Sequence, residues 1–239
     1  MTKTKGALIG CGFFAVNQMH GWQDLDDVQI VAICDRDPER LRIVGDQFGV
    51  DRRYQSAEDM FADGGFDFVD IATTVGSHRA LVELAASHKV PAICQKPFAP
   101  TLADAKAMVA AADAAGIPLM IHENFRWQTP ILAVKAVLDS GVIGEPFWGR
   151  VSFRSGFDVF SGQPYLAKGK RFIIEDLGIH SLDIAIFMRA FAGFVFFVLT
   201  APVGAHLLAR AAHKAGYRLA RVSTVDEMRD SERRDAKKR

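Results

Sequence analysis

At 239 residues, 49% of them hydrophobic, and with a formal charge of +1 at pH 7, the chain can bury a sizeable core as one large domain or two small ones. Near-neutral charge leaves no electrostatic footprint for nucleic acid. The three cysteines, Cys11, Cys34 and Cys94, lie in or beside apolar runs with no CxxC pair, which excludes a disulfide framework and fits a reduced cytoplasm.

Met1 to Lys5 leads straight into a first strand without a long apolar stretch ending in a small-residue cleavage site, so no secretory signal is expected. That strand runs into Gly10-Cys11-Gly12-Phe13-Phe14-Ala15, and a second apolar run, Val28 to Cys34, ends on Asp35. Strand, glycine turn, helix, strand and acid in this order form a dinucleotide-binding fingerprint. Gly10 permits the tight turn, Gly12 lets backbone amides approach a pyrophosphate, and small Ala15 lets the helix pack closely on the strand. The following helix aims its N-terminal dipole at the phosphates. Asp35 suits a ribose 2′-hydroxyl and would repel a 2′-phosphate, so NAD is favoured; Arg36 beside it keeps NADP open.

The alternation continues with a buried strand at Phe66 to Ile71, a helix at Ser77 to His88, a strand at Val90 to Cys94, an Ala-rich helix at Leu102 to Ala115 and a strand at Pro118 to Ile121. Thr101 or Pro100 marks the start of the long helix and Gly116 its end. Such alternation with short connections predicts an α/β, doubly wound parallel sheet, with the loops after Ile9, Cys34, Ile71, Cys94 and Ile121 converging on one cleft.

Beyond His122 the pattern changes. Thr129 to Ser140 reads as a helix, Gly141 and Gly144 punctuate, and Phe147 to Phe153 alternates as a strand. Residues Gly156 to Lys170 read as a loop that could cover the cleft. The expected division is a nucleotide-binding domain over 1–122 and a substrate-facing α/β domain over 123–239. From Ala190 to Ala209 the chain carries no charge if His206 is neutral, which reaches the lower range of a membrane span. Pro202, Gly193 and Gly204 favour a core segment instead, so no membrane partner is expected. Asp226 to Arg239, with six basic and five acidic residues, reads as a solvated or disordered end.

Two further groups carry chemistry: Cys94-Gln95-Lys96-Pro97, directly after a strand, and Glu175-Asp176-Leu177-Gly178-Ile179-His180-Ser181-Leu182-Asp183. On a helix Asp176 and His180 share a face, which Asp183 continues, and that spacing lets a carboxylate orient or charge-tune an imidazole. Hydride transfer from a secondary alcohol requires loss of the hydroxyl proton, a task suited to a histidine, with a lysine steadying the alkoxide. Lys96 and His180 are the candidates; the bland alternative makes one a solvent-facing loop residue and the other a satisfied helix histidine. His78, His122 and His180 form no recognisable ligand spacing with cysteines or carboxylates, so no metal is expected.

The GCGFFA turn with Asp35, the CQKP loop and the DLGIHSLD segment together resemble the Gfo/Idh/MocA family of NAD(P)-dependent sugar and polyol oxidoreductases, over about residues 5 to 188. The resemblance implies a Rossmann domain followed by an α/β domain on a large, mostly antiparallel sheet. It implies His180 as proton acceptor, Lys96 positioning the hydroxyl and Asp176 touching substrate. It adds Phe13, Phe14, Thr73, His78, Gln95 and Lys96 to the cofactor contacts, and Asn124 and Arg126 to the substrate contacts, although His78, Asn124 and Arg126 could equally pack or cap. The expected activity moves a hydride between NAD(P) and a hydroxyl-bearing carbon of a sugar or polyol; the rival is a catalytically silent nucleotide-binding protein or a decayed fragment.

Two departures stand out. Gln95 occupies a position where many relatives have glutamate. After Met188 the family's alternating strands give way to crowded aromatics such as Phe191, Phe194, Phe196 and Phe197, a break that a shifted frame or truncated gene product would produce. The strand at Phe147 to Phe153 would then present an open edge, lowering stability. A homo-oligomer stays open, since family members associate through the sheet in question.

Overall fold

The computed structural model describes residues 2–153, 159–162 and 173–188. Six strands form one parallel sheet in the order β3-β2-β1-β4-β5-β6: β1 (Thr4–Ile9), β2 (Val28–Cys34), β3 (Arg52–Tyr54), β4 (Phe68–Ile71), β5 (Ala92–Gln95) and β6 (Leu119–His122). Five helices connect them: α1 (Phe13–Gln23), α2 (Pro38–Phe48), α3 (Ala57–Asp63), α4 (His78–Ser87) and α5 (Leu102–Ala115). This is the doubly wound sheet expected from the alternation, with its order reversing between β1 and β4, where such folds hold ligands.

The central strands are largely buried on both faces, as their near-continuous apolar sequences require, whereas Met120 and Ile121 of edge strand β6 are exposed. In β1, Ala7 and Ile9 join one cluster with Met60, Phe61, Val69, Ile71, Val82 and Met108. Leu8 points the other way into a cluster with Ala15, Met19, Ile33, Leu41 and Val44. Period-two alternation thus supplies two cores from one strand.

The helix starts are chemically defined. Asp37 caps α2 by accepting from the Glu39 and Arg40 amides, with Pro38 opening the first turn. Ser56 caps α3 through the Asp59 amide, and Thr101 caps α5 through the Asp104 amide at 3.1 Å. Helix α5 ends on Gly116, whose φ of +68° is the left-handed conformation that closes a helix. The segment between Asp35 and Phe66 carries α2, β3 and α3.

After β6 the chain makes a 3₁₀ turn at Phe125–Trp127 and the helix α6 (Thr129–Asp139). Residues Phe147 to Phe153 form no strand, which corrects the expectation from their alternation. A strand needs ladder partners, and among the described residues none pairs with this stretch; Phe147 is fully exposed. Within 156–170 a single helical turn, α7 (Val159–Gly162), is seen; the rest of that expected loop lies outside the described residues. The chain is then π-helical over Ile173–Gly178 and α-helical in α8 (Ile179–Phe187). The uncharged stretch Ala190 to Ala209, the aromatic cluster after Met188 and the charged end at Asp226 to Arg239 lie outside the described residues.

One compact unit comprises the chain to Ala136 and, of the later described residues, those from Val151 to Ile184. A second includes Val137–Arg150, where Gly144 donates its amide to the Gly141 carbonyl at 2.9 Å. Among the described residues no helix is long and apolar enough to cross a membrane.

Candidate active site

The glycine turn follows from its neighbours. Gly10 has φ +100°, and a Cβ there would lie 2.7 Å from the Ala72 carbonyl oxygen, so only glycine fits between β1 and the loop after β4. Its amide donates to the Cys34 carbonyl at 2.7 Å, and the Ala72 amide donates to the Ile9 carbonyl at 2.7 Å. Three of the predicted loops are thereby tied together. Gly12 sits at the N-cap of α1 with no side chain capping the helix, which leaves the helix entrance to an external acceptor.

Asp35 lies beside this turn. Its Oδ2 accepts from the Cys11 amide at 2.7 Å and its Oδ1 from the Asp37 amide at 2.9 Å, fixing the carboxylate at the end of β2. Arg36 is exposed. A residue not singled out from the sequence, Arg40, comes closer to the turn: its Nη1 lies 4.0 Å from where a Gly12 Cβ would be. Cys11 and Cys34 are buried, and burial, with Asp35 adding, pushes both thiols up to about 12. They are packing groups and not thiolate nucleophiles.

Thr73 accepts a hydrogen bond from Ser77 through Oγ1 at 2.8 Å. His78 is fully buried, with Nε2 3.1 Å from the Thr73 carbonyl and Nδ1 3.1 Å from the Phe98 carbonyl. Its ring bridges the loops after β4 and β5 and has no exposed surface to offer a ligand. Phe13 is 53% exposed at the start of α1. Phe14 and Asn124 line a cavity of about 380 Å³ together with Gln18, Trp22, Asp70 and His122.

At the carboxyl end of β5, Gln95 is buried; its Oε1 accepts from the Lys96 amide at 2.7 Å and its Nε2 lies 3.3 Å from His122 Nδ1. Burial, with His180 nearby, lowers the His122 pKa against an opposing pull from Glu123. The Lys96 ammonium pairs with the Asp176 carboxylate and reaches the Asp176 carbonyl at 3.3 Å. Two residues 80 apart in sequence are thus joined, with their side chains only 16% and 14% exposed.

The expectation that Asp176 orients His180 is corrected here. The π-helical turn that contains Asp176 ends at Gly178, before the α-helix carrying His180 begins, and Asp176 is engaged by Lys96. The carboxylate on His180 is Glu123, whose Oε2 lies 2.7 Å from Nδ1. Phe125 stacks on the same imidazole, with ring centres 3.9 Å apart and planes within 5°. Asp183, one turn on, holds Arg126 in a two-pronged pair, with Nε donating to Oδ2 at 2.7 Å. Arg126 thereby ties the turn after β6 to α8.

Glu123 and Phe125 were missed from the sequence. The available signal was position: both directly follow β6, at the sheet end where ligands bind. Among the described residues no group of three or more His, Cys, Asp or Glu could hold a metal ion.

A parallel sheet ordered 3-2-1-4-5-6, with a glycine turn and an acid at the end of β2, defines a dinucleotide-binding Rossmann fold, here bearing a lysine and a histidine beyond β5 and β6. Residues 4–123 match the sequence model of the oxidoreductase family with NAD-binding Rossmann fold, and the chain belongs to this family, Gfo/Idh/MocA. It is 78% identical over 188 residues to D-apiose dehydrogenase of Rhizobium rhizogenes, covering 79% of this chain and 54% of that protein. It is 66% identical over 184 residues to D-apiose dehydrogenase of Paraburkholderia graminis, covering 77% and 49%. The crystal structure of an oxidoreductase from Agrobacterium radiobacter in complex with NAD+, L-tartaric acid and magnesium superposes with a TM-score of 0.77 at 78% identity, covering 78% of this chain and 55% of that one. The chain spans about half the length of the curated relatives it matches.

Proposed function

We propose that this chain carries the nucleotide half and the proton-handling residues of an NAD-dependent dehydrogenase that oxidises a hydroxyl-bearing carbon of a sugar, with D-apiose the first candidate. The observation that carries the reading is a pair of long-range links at this end of the sheet: Lys96, directly after β5, is paired with Asp176, and Glu123, directly after β6, holds His180. The D-apiose dehydrogenases at 78% and 66% identity support the substrate class.

The nucleotide fits the residues present. A Cβ at Gly10 would strike backbone, the entrance of α1 has no side-chain cap, and Asp35 stands at the end of β2. Gly10, Gly12 and the first turn of α1, with Phe13, Phe14 and Ala15, would hold the pyrophosphate, and Asp35 the adenosine ribose. Thr73 and Lys96 stand on the loops beyond β4 and β5, and Gln95 ends β5, toward the nicotinamide end. NAD+, when bound, supplies the hydride acceptor.

His180 accepts the substrate hydroxyl proton through Nε2, the nitrogen not facing Glu123. Lys96 donates to the same substrate oxygen and stabilises the negative charge that grows on it as the proton leaves. Asp176 limits the ammonium to that position, and Asn124 offers an amide to a neighbouring hydroxyl. The three buried, unpaired cysteines support a reducing compartment, the cytoplasm.

The test is NAD reduction by the full chain with a panel of sugars and polyols that includes D-apiose, beside Lys96→Ala and His180→Ala. Turnover lost on the order of 10²-fold or more in both variants is expected. A saturable change in NADH fluorescence with no turnover on any panel member would leave only a nucleotide-binding protein.

A further inference from the structure

From the buried pair beyond β6, we infer that Glu123 is a positioning residue for His180: it fixes the imidazole with its proton on Nδ1, so that Nε2 is the lone-pair nitrogen that takes the substrate proton. This inference rests on the role proposed above for His180, but the geometry behind it is separate. Glu123 is 8% and His180 5% exposed. Glu123 Oε2 lies 2.7 Å from Nδ1, and a carboxylate oxygen can only accept, so the ring nitrogen must be the donor. Among the described residues, Nε2 makes no hydrogen bond. A neutral imidazole has one donor and one acceptor nitrogen, so holding the proton on one side leaves the lone pair on the other.

Two further observations separate this arrangement from ordinary packing. Among the described residues, buried Glu123 Oε1 has no hydrogen-bond partner, so the carboxylate does not complete a satisfied structural network there. A buried carboxylate oxygen left bare is a cost that an apolar side chain of similar size would avoid. Phe125, stacked at 3.9 Å with its plane nearly parallel to the imidazole, removes the remaining rotational freedom by covering the ring face. In-plane anchoring by Glu123 and face packing by Phe125 leave the ring one orientation. When the proton arrives, the imidazolium forms against a carboxylate already in contact, so its new charge needs no rearrangement.

The inference is tested on the full chain with two readouts. Long-range ¹H–¹⁵N correlation, recorded where the ¹⁵N shifts show a neutral ring, reports the His180 tautomer, with the His180 signals identified by their absence in His180→Asn. The wild type is expected to show the Nδ1–H form alone. Glu123→Gln, nearly the same shape, presents both a donor and an acceptor to Nδ1 and should populate both tautomers; its kcat should fall about tenfold or more with KM for the sugar changed less than threefold. Glu123→Ala should shift the population further and cost on the order of 10²-fold in kcat. An Nε2–H tautomer in the wild type, or an unchanged tautomer in Glu123→Gln, overturns the inference. So does a mixed tautomer in Glu123→Gln with kcat unchanged. If the wild type turns over no sugar, the proposed function fails by itself, and the tautomer measurement still decides whether Glu123 fixes the ring.

Discussion

The Asp35 carboxylate and the Cys11 amide, 24 residues apart, are joined at 2.7 Å, so the acid at the end of β2 also braces the glycine turn after β1. The same group therefore braces the turn proposed for the pyrophosphate and is itself the proposed ribose contact. Asp35→Ala is expected to lose charge-assisted hydrogen bonds, each worth about 1.5–3 kcal/mol. NADH affinity by fluorescence titration should fall roughly tenfold to a hundredfold, and the preference for NAD over NADP should shrink because the repulsion of a 2′-phosphate is gone. Unchanged affinity for both nucleotides would show that Asp35 braces the loop and touches no ribose.

Lys96 and Asp176 form a second long-range link, mostly shielded from water. Removing either partner leaves a charge in a poorly solvated place, which typically costs about 3–5 kcal/mol when burial is complete; the residual exposure here brings the expectation to about 2–3 kcal/mol. In Lys96→Ala/Asp176→Ala neither charge remains, so the double variant should recover about 1–3 kcal/mol of the summed loss. Urea unfolding of the four proteins measures this coupling. Strictly additive losses would mean that the pair contributes nothing in solution.

The parts of the fold that repeat a local rule were readable from the sequence. Leu102 to Ala115 was found to the residue because Thr101 and Gly116 mark its ends chemically. Val28 to Cys34 was found because its apolar run stops at a charge. The segment from Pro38 to Asp63 is harder to read: Asp37-Pro38 and Ser56 announce two helices, but its apolar periodicity is short. Phe147 to Phe153 shows the opposite failure, since alternation without a partner strand builds nothing. In the site, Lys96, Asp176 and His180 stood out by residue type and order. Which carboxylate meets which cation did not, because a π-helical turn alters the spacing and the true partner of His180, Glu123, lies 57 residues away, directly after β6. His78 and Arg126 carry ligand-like side chains, yet backbone carbonyls and Asp183 engage them in the fold.

Gly10 and Gly116 separate two costs of replacing glycine. Both have positive φ, but a Cβ at Gly10 would lie 2.7 Å from the Ala72 carbonyl oxygen, whereas Gly116 has nothing within 4 Å. Gly116→Ala should cost only the left-handed conformation, about 1 kcal/mol. Gly10→Ala adds a clash with backbone that cannot swing aside, so about 3 kcal/mol or more is expected, together with loss of NADH binding. Thermal unfolding and fluorescence titration of both variants check this; equal destabilisation would mean that β1 and the loop after β4 can separate to admit a methyl group.

Asp70 is buried in β4, where Trp22 Nε1 donates to it at 2.8 Å and Gln18 Nε2 at 2.9 Å. Burial raises its pKa to about 6 in spite of these two donors, against about 3.9 in an unfolded chain. Between those values the unfolded state gives up its proton while the folded state keeps it, so folding stability falls as pH rises from about 4 to 6 and levels off above. About two units of difference correspond to roughly 3 kcal/mol. Asp70→Asn cannot ionise, and it keeps one oxygen to accept from Gln18 Nε2 and Trp22 Nε1. The variant should therefore gain on the wild type by about 2–3 kcal/mol between pH 4 and pH 7.5. Because the exposed carboxylates titrate alike in both proteins, the difference between their urea midpoints isolates Asp70. A difference that stays constant across that range would show that Asp70 is ionised in the fold throughout.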